Sequence, residues 1–241
     1  MKIVFRIVSV AALSFVLASC DFRSNTDRRL YDALKDGDTN HLQQYLSLGG
    51  EIDRPVRLAG DRIESAPLID VAVEYGQTNV LGFLLRRGAN PNRKDSGGDT
   101  PFVWAVGRSQ AGVAHDARVE TVRALIMAGA DPNLKSGAQS GWTPLIWAAD
   151  LGETEMVKTL LASGARVDAT NDEGLTALNF AANAEVARLL IAAGANPTAQ
   201  AGGETPAQSA IRLGHFDALG ELTNLLNRTQ PGAGGVPPKL K

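Results

Sequence analysis

Hydrophobic and polar positions fall into three regimes along this chain. Residues 1–19 open on a short cationic stretch carrying Lys2 and Arg6, then run through 11 mostly apolar residues from Ile7 to Leu17. A positive segment followed by a short apolar one is the pattern of a secretory signal peptide. The run is too brief for an ordinary transmembrane helix, which needs roughly 20 apolar residues. From about residue 27 to residue 226, compact apolar blocks recur, each closed by glycine. Gly49-Gly50, Gly88-Ala89, Gly129-Ala130, Gly164-Ala165 and Gly194-Ala195 line up with successive spacings of 39, 41, 35 and 30. Most blocks begin on a Thr-Pro-like pair (Thr100-Pro101, Thr143-Pro144, Thr176-Ala177, Thr205-Pro206). A polar turn such as Asn90-Pro91-Asn92 or Asp131-Pro132-Asn133 follows the glycine. The last stretch, 227–241, ends in the Gly/Pro-rich sequence RTQPGAGGVPPKLK and is expected to be a disordered tail.

A fixed internal period is the signature of a repeat architecture. Threonine suits a helix cap, and proline suits the first helical position, where its missing N–H has no partner to lose. Alanine pairs let two helices approach, leucine pairs fill the space between repeats, and glycine ends a helix in a left-handed conformation. The block from Thr143 carries all of these: Thr143-Pro144-Leu145-Ile146-Trp147-Ala148-Ala149, then Gly152, Val157, Leu160-Leu161 and Gly164-Ala165. It resembles the ankyrin repeat, a unit of two antiparallel helices and a β-turn. Six units are expected, beginning near Arg28, Pro67, Thr100, Thr143, Thr176 and Thr205. The resemblance implies an all-α ankyrin-repeat solenoid over residues 27–226, with short β-turn or hairpin loops between helix pairs. A short tether, 20–26, would precede it.

The departures from the family pattern are specific. The histidine that usually follows Thr-Pro-Leu is replaced by Asp70, Val103, Ile146, Asn179 and Gln208, which puts stability rather than fold in question. The fifth copy is about three residues short between its helices. Extra length is expected at 54–64, where Arg54, Arg57 and Arg62 make a basic loop, at 110–117 between the helices of copy three, and at 136–140.

Composition narrows the chemistry. The chain has 241 residues, 44% apolar and 21% charged, with a formal net charge of −2, which excludes a wholly disordered chain and gives no charge-based case for nucleic-acid binding. One cysteine excludes a disulfide framework or a multi-cysteine zinc site. That cysteine ends Leu17-Ala18-Ser19-Cys20, which resembles the lipobox of bacterial lipoproteins. The resemblance implies lipidation at Cys20 and attachment on the periplasmic side of a bacterial membrane. Asp21 resembles the signal that favours the inner membrane in enterobacteria.

No catalytic constellation emerges. His41, His115 and His215 fall in different copies, His115 within the expected loop insertion. Phosphate-binding, nucleophile-elbow and HExxH motifs are absent from the sequence. No enzyme, cofactor, metal or small-molecule substrate is therefore expected. Ankyrin arrays meet partner proteins on a concave side made of hairpin tips and exposed first-helix positions. By that analogy the residue before each threonine (Ala66, Asp99, Trp142, Leu175, Glu204) faces a partner, with Trp142 and Leu175 as an apolar pair. Glu74, Tyr75, Arg108, Asp150 and Leu151 complete the expected surface, while Trp104 and Trp147 are expected in the packing layer. The implied function is that of a membrane-anchored, non-catalytic partner-binding lipoprotein in the bacterial envelope. Open alternatives are an immunity protein that neutralises a toxic secreted effector such as a phospholipase, an envelope scaffold in stress defence and, as another class, an enzyme.

Overall fold

Thr143 shows how each helix pair begins. Its side chain accepts the backbone N–H of Ile146 at 3.3 Å, and Pro144 occupies the first helical position. Thr100 and Thr205 do the same for Val103 and Gln208. A computed structural model describes residues 26–56, 66–108, 113–137 and 140–229. The expected signal peptide at 1–19, Cys20, Asp21, Arg57, Arg62 and most of the expected C-terminal tail lie outside the described residues.

The chain divides into two compact units, one ending at Ala130 and one beginning at Asp131. The first holds α1 (26–36), α2 (Thr39–Ser47), α3 (Leu68–Glu74), α4 (Thr78–Arg86), α5 (Pro101–Val103) and α6 (His115–Met127). The second holds α7 (Pro144–Asp150), α8 (Thr154–Ala162), a 3-10 turn (Ala177–Phe180), α9 (Ala184–Ala192), α10 (Pro206–Leu213) and α11 (Phe216–Thr229). In both units the first helix of each pair packs on its own second helix and on neighbouring pairs. Among the described residues the regular structure is helical apart from one two-stranded pair, β1 (Pro55–Val56) with β2 (Ala66–Pro67), and two isolated bridges, Thr170 with Thr176 and Ala201 with Glu204. The expected all-α repeat fold is therefore present.

Each unit has an apolar layer between its helices. Leu42, Leu81, Leu84, Leu125 and Val122 fill it in the first unit, and Ile146, Met156, Leu160, Val186, Leu190 and Leu222 in the second, all fully buried. Burying one such side chain contributes roughly 1.5–3 kcal/mol. Ala148 and Ala149 are also fully buried, as a close helix approach requires. Gly164 ends α8 at φ +87°, where Ala165 N–H donates back to the Leu160 carbonyl at 3.0 Å. Only glycine adopts that backbone without cost.

Asparagines join neighbouring repeats. Asn92 Nδ2 donates to the Gly129 carbonyl at 3.0 Å, and Asn133 Nδ2 donates to the Gly164 carbonyl at 3.2 Å. Asn133 Oδ1 also accepts the Arg166 N–H at 2.8 Å. The missing family histidine is partly replaced by amides. Asn179 Oδ1 accepts the Thr176 N–H and hydroxyl, and Gln208 Oε1 accepts those of Thr205.

Three expectations are corrected. His115 does not lie in a loop but opens α6, so the insertion is partly helical. Before it, the chain after α5 widens into a π-turn, Trp104–Arg108, whose Ala105 and Val106 carbonyls accept the Arg118 guanidinium at 3.4 and 2.6 Å. An extra-wide turn absorbs the added length, and Arg118 satisfies carbonyls that it leaves over. The last helix continues to Thr229, past the expected boundary at 226, because its end lacks the Gly-Ala stop of the other copies. Arg54 is not part of a free basic loop; its guanidinium pairs with the buried Asp27 carboxylate.

Candidate protein-binding surface

The residue before each helix start is fixed by one backbone bond. The carbonyl of Asp99 accepts the Asp95 N–H, that of Trp142 the Ser136 N–H, that of Leu175 the Asn171 N–H, and that of Glu204 the Ala201 N–H, at 2.8–3.0 Å. This bond closes the hairpin. Asp95 and Asn171 reinforce it with their own carboxylate or amide oxygen, which accepts the N–H of Asp99 and of Leu175.

The expected column of partner-facing residues is corrected accordingly. Leu175 is only 4% exposed, packed under the next hairpin at Gly202, and Ala66 and Asp99 are fully buried. Trp142 is half-buried, with its ring 4.8 Å from Trp147 and 4.6 Å from Phe180. It folds down onto its own unit instead of standing on a hairpin tip. Trp104 is buried, and its indole N–H donates to Asp95 Oδ2 at 2.9 Å. Trp147 is half-buried, yet its indole nitrogen is buried without an acceptor among the described residues. Ser136 occupies the hairpin position that Asp95 holds one repeat earlier, and its side chain is too short to serve.

The first-helix candidates separate by unit. In the first, Glu74 is buried along with the rest of α3, because β2, α4 and the π-turn all pack on that helix. Tyr75 is half-buried, its hydroxyl bonded to that of Tyr31 and their rings edge-on at 5.8 Å. Arg108 ends the π-turn, and its side chain lies outside the described residues. In the second unit Asp150 is half-buried and Leu151 is 47% exposed at the end of α7. Burial pushes the Asp150 carboxyl above its ordinary range, and His215 partly opposes this.

The hairpin surface of the second unit contains residues that sequence reasoning passed over. An open groove of about 620 Å³ is lined by Asn133, Lys135, Thr143, Arg166, Asp168 and Thr170. Lys135 Nζ stands 3.4 Å from Asp172 Oδ1. Arg166 follows the Gly164-Ala165 stop directly, and that register was the available signal.

Asp70 is the other unusual group. It occupies the position of the absent histidine, is fully buried, and neither carboxylate oxygen has a hydrogen-bond partner among the described residues. Burial, then Asp95 and Asp99, hold its carboxyl well above the usual range. It is enclosed, with no surface from which to meet a ligand. His41 pairs with Asp38 at 2.6 Å at the start of α2. No cluster of three or more metal-ligating side chains occurs among the described residues, and none of their helices is long and apolar enough to cross a membrane.

Comparison with known proteins follows the repeat pattern. A profile of ankyrin repeats (3 copies) matches residues 111–201, and a single ankyrin-repeat profile matches residues 65–96. An ankyrin repeat domain from Acinetobacter baumannii AYE is 30% identical, with a TM-score of 0.64, over 81% of this chain and 96% of that one. A chain from the complex of the Bdellovibrio bacteriovorus predatory endopeptidase Bd0816 with immunity protein Bd3460 shares the fold at 22% identity. Its TM-score is 0.65, over 81% of this chain and 96% of that one. Human neurogenic locus notch homolog protein 2 is 31% identical over 72% of this chain, which spans 6% of that protein. The Schizosaccharomyces pombe glycerophosphocholine phosphodiesterase gde1 is 37% identical over 42% of this chain, which spans 8% of that protein.

Proposed function

From the premise that the chain belongs to the ankyrin-repeat family, we propose that it is a lipid-anchored envelope protein that binds and neutralises a secreted effector without catalysis. Ankyrin repeats generally serve as non-catalytic interaction modules. The observation that carries the reading is the second unit's surface, where charged hairpin residues line an open groove and Leu151 stands exposed on a well-packed scaffold. A rigid scaffold carrying polar and apolar side chains supports protein recognition, because little ordering is required on binding. The fold is shared with a chain from a complex that holds an immunity protein against an endopeptidase, which supports the inhibitory version. Leu17-Ala18-Ser19-Cys20 supports the lipid anchor, placed on the periplasmic face of a bacterial membrane, with Asp21 favouring the inner one.

Affinity purification of the full chain from envelope extracts, followed by mass spectrometry, tests the binding role. A stoichiometric secreted enzyme whose activity falls on addition of the chain is the expected result; capture of no protein from a cell producing its effectors counts against it. Cys20→Ser is expected to abolish labelling by a palmitate analogue. Equal labelling of wild type and variant would remove the anchor from the proposal.

A further inference from the structure

The turn between the two helices of a repeat is where the next repeat packs. A Cβ added to Gly37 would meet the Gln77 and Asn79 side chains of repeat two, and one added to Gly152 would meet Asn183 and Ala182 of repeat five. Both glycine carbonyls accept a side-chain amide from the following repeat, Asn79 Nδ2 at 2.9 Å and Asn183 Nδ2 at 3.1 Å. Repeat six carries the same turn at Gly214, left-handed at φ +76°. Among the described residues nothing lies within 4 Å of a Cβ built there, and no donor reaches the Gly214 carbonyl.

The side chains that flank this turn are apolar. Ile211 is 59% exposed and Phe216 is 69% exposed. Terminal repeats of a stack ordinarily present a polar outer face. Here the reverse holds: where repeat four has Ala149 and Thr154, repeat six has Ile211 and Phe216. Ala149 is fully buried, and its carbonyl accepts the Ala182 N–H of repeat five. Its counterpart Ile211 is therefore a stacking residue that no described residue stacks on. Beside Phe216, Asp217 is exposed and has no ion pair among the described residues.

The chain that follows α11 has the length and chemistry to cover this face. The 14 residues of α11 span about 20 Å, at roughly 1.5 Å per residue. Pro231-Gly232 then forms a turn signal, and Gly234-Gly235 continues a linker composition. Residues 230–236, extended at roughly 3.1 Å each, return about 22 Å along the helix. That reach brings Val236-Pro237-Pro238-Lys239-Leu240 level with Phe216. Proline-rich segments dock on aromatic side chains because little conformational freedom is lost. Lys239 supplies the donor and the positive charge that the Gly214 carbonyl and Asp217 lack.

We infer that residues 236–240 dock on the outer face of repeat six, with Val236, the two prolines and Leu240 against Ile211 and Phe216. This segment closes the stack where a seventh repeat would otherwise lie, and keeps the apolar end from pairing with a second copy. It uses none of the residues assigned above to partner binding.

NMR of the full chain labelled with ¹⁵N and ¹³C tests this. Nuclear Overhauser contacts are expected between the Phe216 ring and the side chains of Val236 and Pro237. Val236→Ser combined with Leu240→Ser is expected to shift the amides of Gly214, Phe216 and Asp217. These two substitutions alter no residue of the helix pairs, so the response is read with the fold intact. Phe216→Ser is expected to speed the fast motion of residues 236–240, seen as a fall in their ¹H–¹⁵N heteronuclear Overhauser effect. Absence of the ring contacts, or amides at Gly214 and Asp217 indifferent to the paired serine substitutions, overturns the inference. A mixture of labelled and unlabelled chains separates the remaining occupant. Isotope-filtered contacts to Phe216 that arise between chains assign the face to a second copy and overturn docking of the chain's own segment.

Discussion

Asp70 shows how much one side chain costs when its neighbours are wrong for it. The carboxyl is buried beside Asp95 and Asp99 and has no hydrogen bond among the described residues, so the folded chain holds its proton well above the ordinary pKa. Well below pH 3.8 folded and unfolded chains both carry the proton, and it contributes nothing to pH dependence. As pH rises past 4 the unfolded chain ionises while the folded one does not, so stability falls until the folded midpoint is reached and then levels. Asp70→Asn removes that loss. It is expected to leave stability nearly unchanged at about pH 2.5 and to raise it at pH 7. Urea unfolding at the two pH values checks this; equal effects at both would show that the carboxyl ionises freely in the fold. The tryptophans give a second case. With its ring against Trp147 and Phe180, Trp142 contributes to folding, so Trp142→Ala is expected to lower stability by about 1–3 kcal/mol. A double-mutant cycle with Trp147→Ala should return a coupling of about 0.5–1.5 kcal/mol, the range for aromatic pairs. Strict additivity would place the two rings apart.

At the scale of the helix pair, starts and stops are set locally and adjusted where length changes. Thr143 and Pro144 begin α7, and Gly164 ends α8. Gly164 has open space around its Cα, so a substitution there meets no clash and is penalised through backbone conformation alone. Gly164→Val is expected to cost about 1–3 kcal/mol. A melting temperature equal to wild type would mean that α8 ends without the left-handed residue. Where copy three is longer, the helix widens into a π-turn and Arg118 takes up the freed carbonyls. Where copy five is shorter, the helix tightens to a single 3-10 turn and Asn183 caps the next helix, its Oδ1 accepting the Val186 N–H at 2.9 Å.

Across the molecule each unit is a short stack whose stability is the sum of its repeats and of the contacts between neighbours. The asparagine links are those contacts in hydrogen-bonded form. Asn133 makes two inter-repeat bonds, to the Gly164 carbonyl and from the Arg166 N–H. Asn133→Ala should therefore cost about 1–3 kcal/mol, two bonds at roughly 0.5–1.5 each. Amide hydrogen exchange should quicken at Arg166 before it does in the middle of α8. Unchanged protection at Arg166 would show that the link is not formed in solution.

The sequence by itself determined the repeat, the register of six helix pairs, the threonine caps, the terminal glycines and the aberrant lengths of copies three and five. Each of these is a local signal: a cap or a left-handed glycine acts within one turn of chain, so its residues lie together in sequence. Which side chains face outward was decided only by tertiary structure. Trp142, Leu175 and Asp99 follow one register, yet Asp99 and Leu175 are buried and Trp142 lies half-buried against Trp147 and Phe180. Glu74 and Asp150 hold equivalent positions, but β2 and the π-turn pack on the helix of the first and bury it, while the second stays half-buried at the end of α7. Burial is a property of what packs on a residue from elsewhere in the chain, and no spacing within a single repeat contains it.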